Sequence, residues 1–132
     1  MAPPSSTRPR ILIADDEADI RTLIADILSL ESFDCDQVGD GVEAITRIYD
    51  GWYEAVILDL MMPIADGFEV LEELSESSPA VIRRVIAMTA GTDEIVQGID
   101  PRVFGLLRKP FKPRELLNTV RCCVEQTGLG RR

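Results

Sequence analysis

The sequence predicts an α/β fold, a doubly wound parallel sheet of five strands alternating with five helices. Two observations predict it. Short runs of apolar residues with no polar alternation mark strands covered on both faces, as in a parallel sheet. Between them lie longer segments whose apolar residues recur at helical spacing, so the chain reads strand, helix, strand, helix throughout. Crossovers of this kind are right-handed, and such sheets place their ligand sites beyond the carboxyl ends of the strands.

Arg10-Ile11-Leu12-Ile13-Ala14 is the first apolar run, and it ends at Asp15-Asp16. Ile20, Leu23, Ile24, Ile27 and Leu28 then mark one face of a helix. Asp16, Glu17 and Asp19 stand at its start, where the helix dipole favours negative charge. Asp34 to Val38 reads as a second strand. Gly39-Asp40-Gly41 turns the chain into a helix carrying Val42, Ala44, Ile45, Ile48 and Tyr49, closed near Gly51. Ala55-Val56-Ile57-Leu58 is a third strand that ends at Asp59. Met61-Met62-Pro63 leads to an Asp66-Gly67 turn and a helix with Phe68, Val70, Leu71 and Leu74 on one face, broken at Ser77-Ser78-Pro79. Arg84 to Met88 is a fourth strand, ending at Thr89. From Gly91 to Asp100 two glycines and the Asp100-Pro101 step weaken any helix, so a short or mobile one is expected. Val103 to Leu107 is a fifth strand, ending near Lys109. Pro113 suits a first helical turn, and Leu116, Leu117, Val120, Cys123 and Val124 form the inner face of the last helix. The expected layout is a flexible lead-in at residues 1–9, a folded unit at 10–126 and a tail at 127–132.

The 132 residues fit one domain and bury a full core without disulfide or metal staples. A composition 45% hydrophobic and 28% charged is that of a soluble globular protein. No apolar run approaches the roughly 18–20 residues that cross a bilayer. The opening stretch has no apolar segment of the kind a secretory signal needs. A net charge of −9 repels a phosphate backbone and argues against direct DNA or RNA contact. Cys35, Cys122 and Cys123, an odd set with an adjacent pair, do not make a disulfide framework and fit a reducing cytoplasm. The chain has no histidine, which excludes Ser-His and Cys-His nucleophile pairs and histidine metal sites. Any phosphohistidine must therefore come from another chain.

The chemistry falls at strand ends. Asp15 and Asp16 follow the first strand, Asp59 ends the third, Thr89 the fourth and Lys109 the fifth. In a parallel sheet these residues share one rim. Three converging carboxylates repel one another and call for a counter-ion. A hard divalent cation such as Mg²⁺, with oxygen ligands and waters left for a substrate, meets that need. Asp59 could then attack phosphorus as a carboxylate nucleophile, Lys109 supply a point charge to a phosphate oxygen, and Thr89 a hydroxyl donor. Singly, each residue has a plainer reading. An Asp pair caps a helix, a strand-end Asp forms a turn, Met61-Met62 fills a core, and Arg83-Arg84 is solvated surface. The joint arrangement carries the inference.

Ile11-Leu12-Ile13-Ala14-Asp15-Asp16-Glu17, Val56-Ile57-Leu58-Asp59-Leu60-Met61-Met62-Pro63, Asp66-Gly67, Met88-Thr89-Ala90 and Lys109-Pro110-Phe111, in that order and spacing, resemble the motifs of response-regulator receiver domains of two-component systems. The resemblance runs from about Arg10 to Gln126. It implies a flavodoxin-like, CheY-like fold with strand order 2-1-3-4-5. It also implies that Asp59 is the phosphoacceptor, that Asp15, Asp16, Asp59 and the backbone carbonyl of Met61 hold Mg²⁺, and that Asp16 binds directly while Asp15 acts through water. Thr89 matches the switch hydroxyl and Lys109 the lysine that pairs with the phosphoryl group, with a cis Lys109-Pro110 peptide. One position departs. Leu106 stands where such domains usually carry an aromatic residue that rotates with the threonine. Phe104, two residues earlier and expected on the same strand face, is the candidate substitute. An unusual or more mobile signalling face is expected at residues 91–101.

The function this implies is Mg²⁺-dependent acceptance of a phosphoryl group on Asp59. The donor is a partner histidine kinase or histidine phosphotransfer protein, and output runs through protein contacts to a downstream target. It involves no substrate turnover, no direct nucleic acid contact and no membrane. Two other classes compete: a phosphorylation-independent interaction module, or pseudo-receiver, and a metal-dependent phosphohydrolase. Met61 argues against the hydrolase, because it stands where that class has a second aspartate. No output domain is visible, so a single-domain regulator and a receiver cut from a longer protein both fit.

Overall fold

The computed structural model describes residues 8–130. The strands are β1 (Arg10–Ala14), β2 (Asp34–Val38), β3 (Ala55–Asp59), β4 (Val85–Thr89) and β5 (Gly105–Arg108). The helices are α1 (Ala18–Ser29), α2 (Gly41–Asp50), α3 (Gly67–Ser77), α4 (Pro79–Ile82), α5 (Asp93–Gln97) and α6 (Pro113–Gly130). All strand pairs are parallel, in the order β2-β1-β3-β4-β5. This is the expected flavodoxin-like sheet, with Leu12 opposite Val56 and Asp59 opposite Met88.

Alternation along the strands sends neighbouring side chains to opposite faces. Leu12, Ala14, Val56, Leu58, Val85 and Ala87 face the layer of α2, α3 and α4, where they meet Ile48, Val70, Leu74 and Ile82. Ile11, Ile13, Ile57, Ile86, Met88 and Leu107 face α1 and α6, where they meet Ile24, Leu28, Leu116 and Val120. Both faces are buried, which is why β1, β3 and β4 are apolar except for Arg10 at the start of β1 and for Asp59 and Thr89, the last residues of β3 and β4. β2 lies at an edge, and its sequence Asp-Cys-Asp-Gln-Val is accordingly polar.

The structure corrects four sequence expectations. A sixth helix, the single turn α4, follows the break at Ser78 because Pro79 sits in its first turn and restarts the helix. β5 begins at Gly105 rather than Val103. The Val103 N–H is turned back to the Asp100 carbonyl at 3.2 Å, and Asp100 also holds the Arg102 N–H at 2.9 Å and its guanidinium at 2.7 Å. Phe104 therefore precedes the strand and packs with the α1/α6 layer, whereas Leu106 packs with the α2/α3 layer. The two do not share a face, so Phe104 is no substitute for Leu106. Lastly, α6 runs past Gln126 to Gly130, and the Thr127 hydroxyl donates to the Glu54 carbonyl at 3.0 Å. The expected tail therefore begins inside a helix, while residues 1–7 of the expected lead-in and residues 131–132 lie outside the described residues.

Of Arg83-Arg84, only Arg83 is solvated. Arg84 stacks 4.2 Å over the Trp52 ring and donates through Nε to the Tyr53 carbonyl at 3.0 Å. This contact closes the rim where β3 and β4 begin. Between Gly91 and Asp100 the helix is short, as expected: α5 has five residues, none of them buried.

Candidate functional site

The opposite rim carries the chemistry. Asp15 leaves β1 with its N–H still donating to Val38 at 3.2 Å, so the sheet itself aims the carboxyl. Asp59 and Thr89 are the last residues of β3 and β4, and the Lys109 N–H donates to the Thr89 carbonyl at 2.9 Å as β5 ends. α3 begins hard against this rim. A side chain at Gly67 would meet the Asp59 carbonyl at 2.8 Å and the Leu60 Cα at 2.7 Å, so only glycine allows the approach. Asp66 caps α3 by accepting the Glu69 N–H at 2.9 Å, with the Glu69 carboxylate returning to the Asp66 N–H.

Lys109 Nζ lies 2.9 Å from Asp15 Oδ2, 3.2 Å from Asp59 Oδ2 and 3.6 Å from Glu17 Oε1. Asp15 is 0% exposed and Asp59 4%. The Asp59 carboxylate also accepts the Met61 N–H at 3.1 Å. Burial, with the Asp15 charge adding to it, pushes the Asp59 carboxyl up to about 6 against the opposing Met61 N–H and Lys109. Burial alone would lower the Lys109 ammonium, but its bond to Asp15 and the charges of Asp59 and Asp15 outweigh that and raise it.

One carboxylate oxygen each from Asp15, Asp16 and Glu17 lie within 4.8 Å of one another, a spread that a cation with oxygen ligands can bridge. Both Asp15 oxygens are already engaged, Oδ2 by Lys109 and Oδ1 by the Glu17 N–H at 2.9 Å. Asp16 is exposed, and no ion pair or hydrogen bond engages its carboxylate among the described residues. A hard cation such as Mg²⁺ fits this donor set, with Asp16 the freest ligand.

The sequence-predicted residues converge unequally. Asp15, Asp59 and Lys109 are in direct contact, and Asp16 joins them through the acidic cluster. Met61 is tied in through its backbone N–H; its side chain is 59% exposed, while Met62 fills the core. The Thr89 hydroxyl is fully buried and accepts the Gly91 N–H at 2.9 Å, so it is held by its own loop. Two residues were missed. Glu17 was read as helix-start charge, although it extends the acidic pair by one. Arg21 donates to the Asp15 carbonyl at 2.7 Å, and only its place one turn into the helix hinted at that.

The model of the response regulator receiver domain family matches residues 11–121. The chain is 36% identical to the DNA-binding response regulator MtrA of Mycobacterium tuberculosis over 116 residues, 86% of this chain and 50% of that protein. It is 36% identical to the transcriptional regulatory protein ResD of Bacillus subtilis over 121 residues, 90% of this chain and 49% of that one. The chain thus spans about half the length of these curated relatives. Among solved structures, the receiver domain of the Francisella response regulator 1452 superposes with a TM-score of 0.82 at 29% identity, covering 91% of this chain and 99% of that one. The chemotaxis response regulator CheY4 of Vibrio cholerae does so with a TM-score of 0.80 at 26% identity, covering 89% and 99%.

Proposed function

The chain belongs to the response regulator receiver domain family, and from that premise we propose that it accepts a phosphoryl group on Asp59 from a partner histidine kinase or histidine phosphotransfer protein and signals through protein contacts. The observation that carries this reading is the setting of Asp59: a nearly buried carboxylate at a strand end, gripped by Lys109 and the Met61 N–H beside an acidic cluster. One Asp59 oxygen forms the bond to phosphorus as the donor's P–N bond breaks, and the bonding pair stays with the departing imidazole nitrogen. Lys109, already between Asp15 and Asp59, offers its charge to a phosphoryl oxygen and holds the carboxylate in place. Asp16, Asp15, Asp59 and the Met61 carbonyl are the proposed holders of Mg²⁺. Bound there, the ion supplies positive charge against the phosphoryl oxygens.

The added group carries roughly −1.5 to −2 charges, by analogy with other phosphorylated side chains. Its oxygens accept from the Thr89 hydroxyl, whose own oxygen accepts the Gly91 N–H, so drawing Thr89 toward the phosphoryl group biases the loop into α5. Water later hydrolyses the acyl phosphate and restores the carboxylate, which ends the signal; the reading is of a domain that carries the group as a signal, not of an enzyme that works through a substrate. For the donor's docking, Ile20, Leu23, Ala90, Pro110 and Phe111 line an apolar depression beside Lys109. The reading keeps a cytoplasmic setting, in which Cys35, Cys122 and Cys123 are free thiols. Among the described residues no helix is long and apolar enough to cross a membrane. The net charge of −9 supports leaving direct nucleic acid contact out of the reading; "DNA-binding" describes the full-length relatives.

Incubation with acetyl phosphate and Mg²⁺, followed by intact mass and peptide mapping, tests this. A single phosphoryl adduct on the peptide holding Asp59, lost in Asp59→Asn, is expected; an adduct that survives Asp59→Asn overturns it. A second reading, the phosphorylation-independent interaction module, is favoured by one observation. Leu106 lacks the aromatic ring, and Phe104 lies on the other side of the sheet. No adduct with either acetyl phosphate or a phosphorylated donor protein would select that reading.

A further inference from the structure

A wide concavity lies away from Asp59. It is an open groove of 730 Å³ between α3 and the segment joining α5 to β5. Its floor is apolar, from Phe68, Leu71, Ile99 and Pro101. It exists because α5 stops after five residues and leaves this flank of α3 uncovered. From Gly91 to Arg102 not one residue is fully buried, although the stretch includes Ile95, Val96 and Ile99. A segment with so little burial belongs to the low-stability end of a fold, where a partner gains most by covering it.

The charges on the groove's two walls differ. On one wall Arg102 is neutralised by Asp100 and tied to Ser75 Oγ at 2.8 Å. On the other, Glu72 and Glu76 stand one turn apart on the exposed side of α3. No ion pair engages either of them among the described residues. The net charge along this rim is therefore negative over an apolar floor.

We propose that this groove is a docking site for a basic amphipathic segment of a partner protein, with apolar side chains on Phe68, Leu71 and Ile99 and lysine or arginine facing Glu72 and Glu76. Apolar anchors in the groove with charges at its rim match the helix-in-groove mode of recognition. The groove also touches the switch loop. Gly98 packs near the Phe68 ring, and a side chain at Gly91 would fall 2.6 Å from Ile95 and 3.0 Å from the Thr89 hydroxyl. Binding needs neither metal nor phosphoryl group, so it stands or falls independently of the Asp59 chemistry.

The test uses the full chain and a synthetic helical peptide with leucine on one face and lysine on the other. Anisotropy gives affinity, and amide shifts in two-dimensional NMR give location. Saturable binding with shifts centred on Phe68, Leu71 and residues 97–102 is expected. Glu72→Lys/Glu76→Lys should weaken it by about tenfold. Glu43→Lys/Asp50→Lys on α2, with the same change in net charge, should leave it within about twofold. A peptide with serine in place of leucine should not saturate. The proposal fails if both charge-reversed proteins weaken equally, if the serine peptide binds as well, if the shifts centre on Lys109 to Phe111 instead, or if nothing saturates. It also fails if sedimentation shows the groove filled by a second copy of the chain.

Discussion

Asp59 is held in an environment that favours its protonated form. Its carboxyl, at about 6, lies well above the usual carboxylate range because it is buried and faces the charge of Asp15. A group whose pKa rises on folding supports the fold while protonated, and that support is lost as pH climbs through the folded value. At neutral pH and without divalent metal, Asp59 therefore works against stability. Asp59→Asn is expected to stabilise the protein at pH 7 by on the order of 1–2 kcal/mol after the lost Lys109 contact is discounted, read as a raised melting temperature. The gain should shrink as pH falls through about 6 and be gone near pH 4, the ordinary carboxylate value, and thermal scans of both proteins across pH with chelator present would check it. Asp59, Thr89 and Lys109 were legible in the sequence because each closes an apolar run, so their position follows from the strands. Arg21 was not, because its contact is with a backbone carbonyl and leaves no pattern in side-chain type. The Thr89 oxygen accepts the Gly91 N–H, a local bond that spacing cannot foretell and that leaves its O–H proton to donate elsewhere.

At the scale of elements, the site depends on how closely α3 abuts β3. Gly67→Ala would drive a methyl into the Asp59 carbonyl and the Leu60 backbone, neither of which can swing away. The expected cost is about 1–3 kcal/mol, as for other overpacked cores, with shifted amide resonances at Asp59 to Met61 by NMR. The edge of the sheet has its own fastening. Asp36 on β2 accepts the Arg10 guanidinium at 2.7 Å and the Tyr53 hydroxyl at 2.6 Å. Burial would raise this carboxyl, but those two bonds with the charges of Arg10 and Arg47 together hold it below its ordinary value. Its contribution is present above about pH 4 and is lost as pH falls through the folded value. Asp36→Asn should thus destabilise the protein at pH 7, and the difference in melting temperature from the parent should close in acid. Strands β1, β3 and β4 were readable because burial on both faces demands unbroken apolar runs. The start of β5 was misread because Val103 and Phe104 look like strand, while the Asp100–Arg102 turn holds Val103 out of the ladder. α4 was missed because a proline after a helix reads as a stop, and here it is also a start.

For the molecule as a whole, the sheet divides the interior into two separate cores and assigns its ends to different tasks. One rim gathers Asp15, Asp16, Asp59 and Lys109; the other is closed by Arg84 stacked on Trp52. That division has a practical outcome for anyone watching the protein by light. Trp52 is the only tryptophan. It precedes β3 while Asp59 ends it, so the two are roughly 20 Å apart at the rise of an extended strand. Intrinsic emission should stay flat through a magnesium titration and shift to longer wavelength only when denaturant opens the far rim. The lone indole is a built-in gauge of unfolding that is blind to events at the acidic end, and an optical reporter of those events must be installed there.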